Sequence, residues 1–286
     1  MHYTTAKSIL SPKNRMNIYR GCSHGCIYCD SRSDIYNMNH DFEDIEVKEN
    51  ALLLLKKELI KRQKAMIGTG AMNDPYIPLE KNLRYIRKSL ELIYRYGFGF
   101  SCITKSDLIL RDLDLLKKIN EKSKVVIQMT LTTADDELCK ILEPNVCTTS
   151  KRVDVLKRFQ DEGIQTVVWL CPILPYINDT YDNIDSILDS CIDVGVSGIL
   201  CYGMGLTLRE GDREYYYKKL DQHFPGLKEK YIREFGDSYS LPSPNNKELM
   251  GHFLNKTKKH GILNDTREIF EFLSDFPQKS VQSRLI

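Results

Sequence analysis

Short apolar runs rich in β-forming residues alternate with longer stretches of helical periodicity from Met16 to Tyr202. This alternation is typical of strand–helix–strand units that build a parallel sheet. About six such units are present when residues 16–20 are counted as the first strand. Six units are too few for a closed eight-stranded barrel. The chain is therefore predicted to be an α/β protein, a partial (β/α)6 TIM-type barrel open on one side.

The helical stretches carry apolar residues at one-turn spacing, which predicts that one face of each helix packs on the sheet. The first helix is predicted near residues 44–62 and the second near residues 79–96. Further helices are predicted to start near Asp107, Ser150 and Tyr181, with strands at residues 98–104, 125–131, 166–171 and 198–202. Catalytic loops are expected after the carboxyl ends of these strands.

The alternation stops at Leu206, where prolines begin to separate short helical pieces. The sequence therefore predicts a barrel over residues 1–205 and a mostly helical C-terminal extension over residues 206–286. This extension is expected to close the barrel or to shape the substrate site. It contains 14 Lys and Arg against 12 Asp and Glu, which is not the charge balance of a basic nucleic-acid-binding arm.

The composition of the whole chain restricts its partners and its compartment. The 286 residues are 42% hydrophobic and carry a formal net charge of +2, which favours neither nucleic acid nor an anionic membrane as partner. No apolar run approaches the roughly 18 residues of a membrane span, and residues 1–11 lack the apolar core of a secretion signal. A cytoplasmic location is therefore expected. The nine cysteines are then predicted to be metal ligands or buried apolar residues rather than disulfides.

Three cysteines, Cys22, Cys26 and Cys29, lie within eight residues directly after the first predicted strand. Thiolates are the usual ligands of iron–sulfur clusters, and a 4Fe–4S cluster has four irons that each need a terminal ligand. Three cysteines leave one iron free to coordinate a small molecule. Gly21 and Gly25 allow the backbone to wrap closely around such a cluster.

Zinc is the competing interpretation of the same segment, because His24 could complete a set of three cysteines and one histidine. However, His24 lies between two of the cysteines, whereas structural zinc normally draws its ligands from two separated pairs. The six remaining cysteines are predicted mainly to pack in the core; they are Cys102, Cys139, Cys147, Cys171, Cys191 and Cys201. Cys171 and Cys201 end strands, so both are candidates to face the cavity. One of these six thiols could serve as the hydrogen-atom donor of a radical reaction.

The spacing C-x3-C-x2-C, with Tyr28 before the third cysteine, resembles the signature of the radical S-adenosylmethionine (SAM) superfamily. Three further segments resemble the spore photoproduct lyase-like branch of uncharacterised radical SAM proteins: Asn73-Asp74-Pro75-Tyr76, Ile103-Thr104-Lys105-Ser106 and Ile141-Leu142-Glu143-Pro144. The likeness covers at least residues 3–205.

The resemblance implies an enzyme that is a lyase or an oxidoreductase, with a 4Fe–4S cluster held by the three cysteines and with SAM as the second cofactor. Such an enzyme cleaves SAM reductively to methionine and a 5′-deoxyadenosyl radical, which takes a hydrogen atom from a substrate that the sequence does not identify. A reductant such as flavodoxin or ferredoxin is the implied partner. No catalytic side chain beyond the cofactor-binding set is assigned.

The resemblance also implies which residues contact SAM, by motif position. Tyr28 would contact the adenine through its backbone, Asn73 and Thr130 would bond the ribose or the methionine part, and Lys105 would meet the carboxylate. Arg152, oriented by Glu143, could help to hold the same carboxylate, or it could be a surface residue, because a charged residue that opens a helix is often exposed. A lysine at the end of a parallel strand points into the cavity, which suits this role, but Lys105 could equally be a solvated surface residue.

One departure limits the transfer of function. Spore photoproduct lyase has a cysteine as hydrogen donor directly before the SAM-binding residue of the second strand, and this chain has Met72 there. A thioether has no S–H to give. Two alternatives stay open: a nucleic-acid repair or modification enzyme, and a non-catalytic iron–sulfur carrier. The first would need a basic aromatic platform, for which the candidates are Tyr76, Tyr202, Tyr215, Tyr216, Tyr217, Arg209 and Arg213; these tyrosines could instead close the open edge of the barrel.

Overall fold

The computed structural model describes residues 1–277, so residues 278–286 of the predicted extension lie outside the described part. The strands are β1 (His2–Thr4), β2 (Tyr19–Arg20), β3 (Glu46–Lys48), β4 (Met66–Thr69), β5 (Gly99–Thr104), β6 (Val125–Thr130), β7 (Gln165–Trp169), β8 (Gly198–Leu200), β9 (Gly205–Thr207) and β10 (Ser240–Pro242). The α-helices are α1 (Ala51–Lys61), α2 (Glu80–Leu83), α3 (Tyr85–Tyr96), α4 (Leu113–Lys122), α5 (Asp136–Leu142), α6 (Thr149–Asp161), α7 (Tyr181–Val194), α8 (Asp212–His223), α9 (Leu227–Phe235), α10 (Asn246–Lys259) and α11 (Thr266–Ser274). Short 3₁₀ helices cover Asp30–Arg32, Asp34–Tyr36 and Asp107–Asp112.

Strands β4 to β8 form a parallel sheet in which sequence neighbours are also neighbours in space. Side chains alternate between the two faces of a strand, so β6 sends Val125, Ile127 and Met129 into the main core shared with the surrounding helices. The opposite face carries Val126, which packs on α11, and Thr130. The predicted α/β partial barrel is therefore confirmed.

The first predicted strand differs from the prediction. β2 is limited to Tyr19–Arg20 and pairs antiparallel with β3, in a separate sheet of order β1–β3–β2. The preceding residues meet β4 through one parallel bridge between Arg15 and Gly68, where the Met16 N–H donates to the Gly68 carbonyl over 2.8 Å. A turn with Asn14 at φ 55° comes directly before this bridge, and the chain then leaves β4 for β3. The sixth barrel strand is thus reduced to a single bridge.

Two helix boundaries also differ from the prediction. The helix predicted from residue 44 starts at Ala51, because β3 occupies the preceding segment. The helix predicted over residues 79–96 is divided into α2 and α3 at Arg84, which adopts a left-handed conformation with φ 55°. The segment after Asp107 first forms a 3₁₀ helix before α4 begins.

The C-terminal extension packs on the barrel at three places. Helices α8 and α9 supply Tyr216 and Tyr231 to an apolar core that includes Ile27 of the cysteine loop. Helix α10 packs on α7, and α11 places Ile269 and Leu273 against the concave face of the sheet. The division of the chain after residue 205 stays a prediction. No helix of residues 1–277 is long and apolar enough to cross a membrane.

Candidate active site

The three predicted ligand cysteines line one small pocket of about 100 Å³ after β2. Cys22 and Cys26 are buried, and Cys29 is partly buried. The loop begins with Gly21 at φ 85°, where an added Cβ would lie 2.5 Å from the Phe42 carbonyl oxygen. The same carbonyl accepts a hydrogen bond of 3.0 Å from the Cys22 N–H. Glycine is therefore required for the close approach that fixes the first cysteine.

The rest of the cysteine loop is held by backbone contacts to the segment after α5. The Ile27 N–H donates to the Leu142 carbonyl over 2.9 Å, and the Asn145 N–H donates to the His24 carbonyl over 3.1 Å. The Asn145 side-chain amide donates to the Ser23 carbonyl over 3.0 Å. These hydrogen bonds hold the backbone of the cysteine loop in place and so fix the positions of the three thiols.

The spacing of the thiols fits a multi-iron cluster better than a single metal ion. Tetrahedral zinc at a Zn–S distance of about 2.3 Å needs sulfurs about 3.8 Å apart. Within residues 1–277, only His2, His40 and Asp44 bring three ligand atoms within 4.8 Å of one another, so the three cysteine sulfurs are spread more widely. Three thiolates at a spacing too wide for one tetrahedral ion are consistent with the cysteine ligands of an iron–sulfur cluster.

Asp74 organises the wall of the cysteine pocket. Its carboxylate accepts hydrogen bonds of 2.8 Å from the N–H of Tyr76, the hydroxyl of Thr104 and the N–H of Lys105, and it lies 3.4 Å from His24 Nδ1. Burial alone would raise the pKa of Asp74, but the charge and hydrogen bond of His24 and the backbone donors lower it to about 2. In the sequence, Asp74 stands only within the segment Asn73-Asp74-Pro75-Tyr76, and its place in the loop after β4 is the available signal for a site residue.

His24 is paired with this carboxylate and also hydrogen-bonds to the Cys22 thiol. Burial alone would lower the pKa of His24, but Asp74 and Cys22 raise it to about 10. The imidazole is therefore already engaged by a carboxylate and by a thiol. This disfavours the alternative in which His24 completes a zinc site.

A larger cavity of about 540 Å³ adjoins the cysteine pocket. Residues common to the walls of both are Cys29, Ser31, Gly70, Ala71, Ile103 and Lys105. Gly70 ends β4 at φ 100°, and an added Cβ would lie 2.0 Å from the Ile103 carbonyl oxygen. A side chain at position 70 would therefore clash with β5 where the two cavities meet.

Strand alternation explains which side chains line the larger cavity. Lys105, Thr130, Cys171 and Tyr202 follow or end four neighbouring parallel strands on the concave face. Beneath them, Trp169 donates through Nε1 to Gln128 Oε1 over 2.8 Å. The cavity thus has an ordered floor and a mouth rich in functional groups, at the carboxyl ends of the strands as predicted.

Lys105 carries the positive charge of this cavity wall. Its Nζ lies 5.8 Å from the centre of the Tyr28 ring. Burial alone would lower the pKa of Lys105, but the nearby Cys26 and Glu143 raise it above its usual value. The lysine is therefore charged and lines both cavities, and it is not a solvated surface residue.

Behind the cavity wall, Arg152 and Glu143 form a fully buried ion pair of 2.5 Å. The Tyr28 hydroxyl donates to the other oxygen of Glu143. Arg152 also donates to the carbonyls of Thr130 and Cys147, each over 3.0 Å. Burial alone would raise the pKa of Glu143, but Arg152 and Lys105 lower it below its usual range. This charged network joins the cysteine loop, α5, α6 and the end of β6.

The structure places the predicted SAM contacts in different positions. Tyr28, Lys105 and Thr130 line the larger cavity, and Asn73 lines the cysteine pocket beside it. Arg152 lines neither cavity, since its guanidinium is 0% exposed and is engaged by Glu143 and the two carbonyls. The predicted orientation of Arg152 by Glu143 is thus observed as an ion pair, whereas the direct contacts of these residues with SAM stay predictions.

Most of the proposed tyrosine platform is not at the cavity. Tyr76 and Tyr216 are fully buried, and Tyr215 stacks with the Arg32 guanidinium at 3.8 Å. Tyr202, which is 60% exposed, lines the cavity near Trp169. The extension instead contributes Leu206, Thr207, Ser240, Pro242 and Asn246 to the cavity wall.

Comparisons with known proteins agree with this geometry. The family described as the Radical SAM superfamily matches residues 16–203. An uncharacterised protein of Mycobacterium tuberculosis is 27% identical over 242 residues, which are 82% of this chain and 70% of that protein. An uncharacterised protein of Methanocaldococcus jannaschii is 34% identical over 166 residues, which are 57% of this chain and 61% of that protein. Spore photoproduct lyase complexed with dinucleoside spore photoproduct shares the fold, with a TM-score of 0.65 and 13% identity over 92% of this chain and 80% of that one.

Proposed function

The chain belongs to the radical SAM superfamily, an enzyme family that uses a 4Fe–4S cluster and SAM, and we propose that it cleaves SAM reductively to act on a substrate bound in the larger cavity. The observation that carries the proposal is the shared wall between the cysteine pocket and the cavity of about 540 Å³. An iron–sulfur carrier has no need of such a cavity. When bound, the cluster and SAM supply a 5′-deoxyadenosyl radical that takes a hydrogen atom from the substrate.

The residues of this chain would bind and orient SAM between the cysteine pocket and the strand ends. The Lys105 ammonium is the charge that the SAM carboxylate needs in a buried site. Asn73 and Thr130 would offer an amide and a hydroxyl to the ribose or the amino-acid part, and the Tyr28 backbone would contact the adenine. Arg152 forms an ion pair with Glu143, and the Glu143 carboxylate accepts a hydrogen bond from the Tyr28 hydroxyl. In this proposal, Arg152 therefore acts through Glu143 to position the cysteine loop.

The other end of the cavity is the proposed substrate site. Trp169, Cys171 and Tyr202 lie at the ends of the last strands, and Ser240 and Asn246 of the extension line the same cavity. This end combines an aromatic wall with hydroxyl and amide groups, which can orient a mostly uncharged substrate and exclude water from the radical. The extension therefore determines substrate choice in this proposal.

The proposal is tested by anaerobic reconstitution of the protein with iron and sulfide, reduction with dithionite and addition of SAM. We expect 5′-deoxyadenosine and methionine in equal amounts, separated and quantified by chromatography. A reduced, cluster-loaded protein that binds SAM without forming either product would contradict the proposal and support the carrier alternative.

Lys105→Met is expected to weaken SAM binding roughly 10- to 100-fold, because one charge-assisted hydrogen bond in a buried site is lost. Methionine has a similar length and keeps the apolar part of the side chain. The measurement is equilibrium dialysis of labelled SAM against the anaerobic, cluster-loaded protein. Iron content should not change, since Lys105 is not one of the three predicted ligands.

Lys118→Met is the matched control for this substitution. Lys118 lies on the exposed side of α4 and lines neither cavity. Its substitution should leave SAM affinity unchanged, and Lys105→Arg should keep part of the affinity. Equal affinities in wild type and Lys105→Met would remove Lys105 from the proposed SAM site.

A further inference from the structure

A second group of metal-ligating side chains lies beside the N-terminal sheet, which is the sheet formed by β1, β3 and β2. His2, His40 and Asp44 each place one ligand atom so that the three atoms lie within 4.8 Å of one another. Within residues 1–277, no other set of three His, Cys, Asp or Glu side chains has this spacing. None of the three lines the cysteine pocket or the larger cavity.

The strand register brings a fourth ligand to the same place. In the parallel pair of β1 and β3, His2 lies opposite Glu46. The His2 Nδ1 is 2.9 Å from Asp44 Oδ2, and the His2 and His40 rings meet edge to face with centres 4.7 Å apart. The other oxygen of Asp44 pairs with the N-terminal amine at 2.5 Å, so Oδ2 is the Asp44 oxygen that lies beside the imidazoles.

The strongest sign of a binding site is the imidazole of His40. Its Nδ1 lies 3.0 Å from the Asp41 carbonyl oxygen, which can only accept, so Nδ1 carries the proton. In the neutral imidazole, Nε2 then holds the lone pair. This atom is buried, has no hydrogen-bond partner and lies 3.8 Å from a Glu46 carboxylate oxygen. A histidine whose other nitrogen donates to a backbone carbonyl is the usual arrangement of a metal ligand.

We propose that His2, His40, Asp44 and Glu46 bind one zinc ion. Two imidazoles and two carboxylates form a tetrahedral nitrogen and oxygen set that suits zinc, and the absence of thiolate among these four separates the site from the cysteine pocket. Such a site leaves no ligand position for a substrate, so its role is structural rather than catalytic.

The position of this site explains what a bound zinc ion would stabilise. It would join β1 to the segment that contains His40 and Asp44. Between these two residues lies Phe42, whose carbonyl accepts the hydrogen bond from the Cys22 N–H. The zinc ion would therefore hold the segment that supports the first cysteine of the cysteine loop.

The test is calorimetric titration of zinc chloride into the full-length, cluster-loaded protein under anaerobic conditions. We expect one equivalent of zinc to bind to the wild type. His40→Ala and Glu46→Gln each remove a metal ligand, and each should lower the zinc affinity by at least roughly 10-fold. Loss of a residue that only hydrogen-bonds to a ligand already costs about 10-fold. At one fixed zinc concentration, zinc should also raise the melting temperature of the wild type by roughly 5 °C or more and raise that of His40→Ala by clearly less.

His252→Ala is the matched control, because His252 Nε2 pairs with Asp185 Oδ1 at 2.7 Å on the surface without forming a group of three metal ligands. Its zinc affinity should equal that of the wild type. No zinc uptake by the wild type would overturn the proposal. Equal uptake by wild type and His40→Ala would also overturn it, since the zinc would then be held by other ligands, the cysteines included.

Discussion

Cys26→Ala is expected to abolish 4Fe–4S binding and SAM cleavage and to leave a folded protein. One of only three predicted thiolate ligands is lost, and a cluster held by two cysteines is not retained. The structural cost is small, because a buried cysteine loses a single sulfur atom and its neighbours keep their backbone contacts. Iron and sulfide analysis after anaerobic reconstitution, together with the 5′-deoxyadenosine assay, measures both losses. Circular dichroism reports whether the fold is kept.

Cys191→Ala provides the control for the loss of a buried thiol. Cys191 lies on α7 in the main core, where burial raises its pKa to about 12 and keeps the thiol protonated. Its substitution should leave four irons per chain, as expected for the wild type, and full SAM cleavage, with a stability loss of about 1 kcal/mol. Loss of iron in Cys26→Ala with full iron in Cys191→Ala excludes a general effect of removing a cysteine. An unchanged iron content in Cys26→Ala would show that the ligand assignment is wrong.

The sheet could be predicted from the sequence because the strands and helices differ in period. Val125–Thr130 is buried on both faces, as expected for a strand covered on both sides, and four of the five strands of the main sheet, β5 to β8, follow from such runs. The sixth strand could not be predicted correctly, because residues 16–20 are shared between two sheets. Met16 bonds to β4 and Tyr19 pairs with β3, and only these contacts show which strand each residue joins.

The candidate site shows the same division between local and long-range information. The spacing of Cys22, Cys26 and Cys29 is local and carries its chemistry in the sequence. The partner of Tyr28 is Glu143, which is 115 residues away, and no sequence pattern links the two. Arg152 was interpreted as a SAM contact or a surface residue, because a charged residue in the first turn of a helix is usually exposed. Its burial depends on Glu143, and only the fold shows that pairing.

The zinc site proposed on the N-terminal sheet was missed for a similar reason. His2 and Glu46 are opposite each other only because β1 and β3 pair in one register. The sequence spacing from His40 to Asp44 and Glu46 resembles many polar loops, and His2 lies far away along the chain. Metal sites whose ligands come from separated strands are visible in the tertiary structure and not in a motif.

Arg152→Met is expected to lower the free energy of unfolding by about 3–5 kcal/mol, because Glu143 would stay charged and buried without its counterion. For a chain of this size, that loss corresponds to a fall in melting temperature of roughly 6–20 °C. Chemical denaturation and thermal melting of the cluster-free protein measure the change without interference from the metal. The double variant Arg152→Met/Glu143→Gln should recover much of the stability, since a neutral amide can still accept the Tyr28 hydroxyl.

The control is Arg158→Met on the same helix, α6, where the arginine is 53% exposed and pairs with Glu162 at 2.8 Å. An exposed pair contributes little, so this variant should lose no more than about 0.5 kcal/mol. Both variants replace an arginine of α6 by methionine, so the change in helix propensity is the same. The comparison therefore isolates the effect of the unpaired buried charge. If Arg152→Met lost as little as Arg158→Met, the buried pair would not hold the cysteine loop to α5 and α6. If the double variant were no more stable than Arg152→Met, the loss would come from packing and not from an unpaired carboxylate.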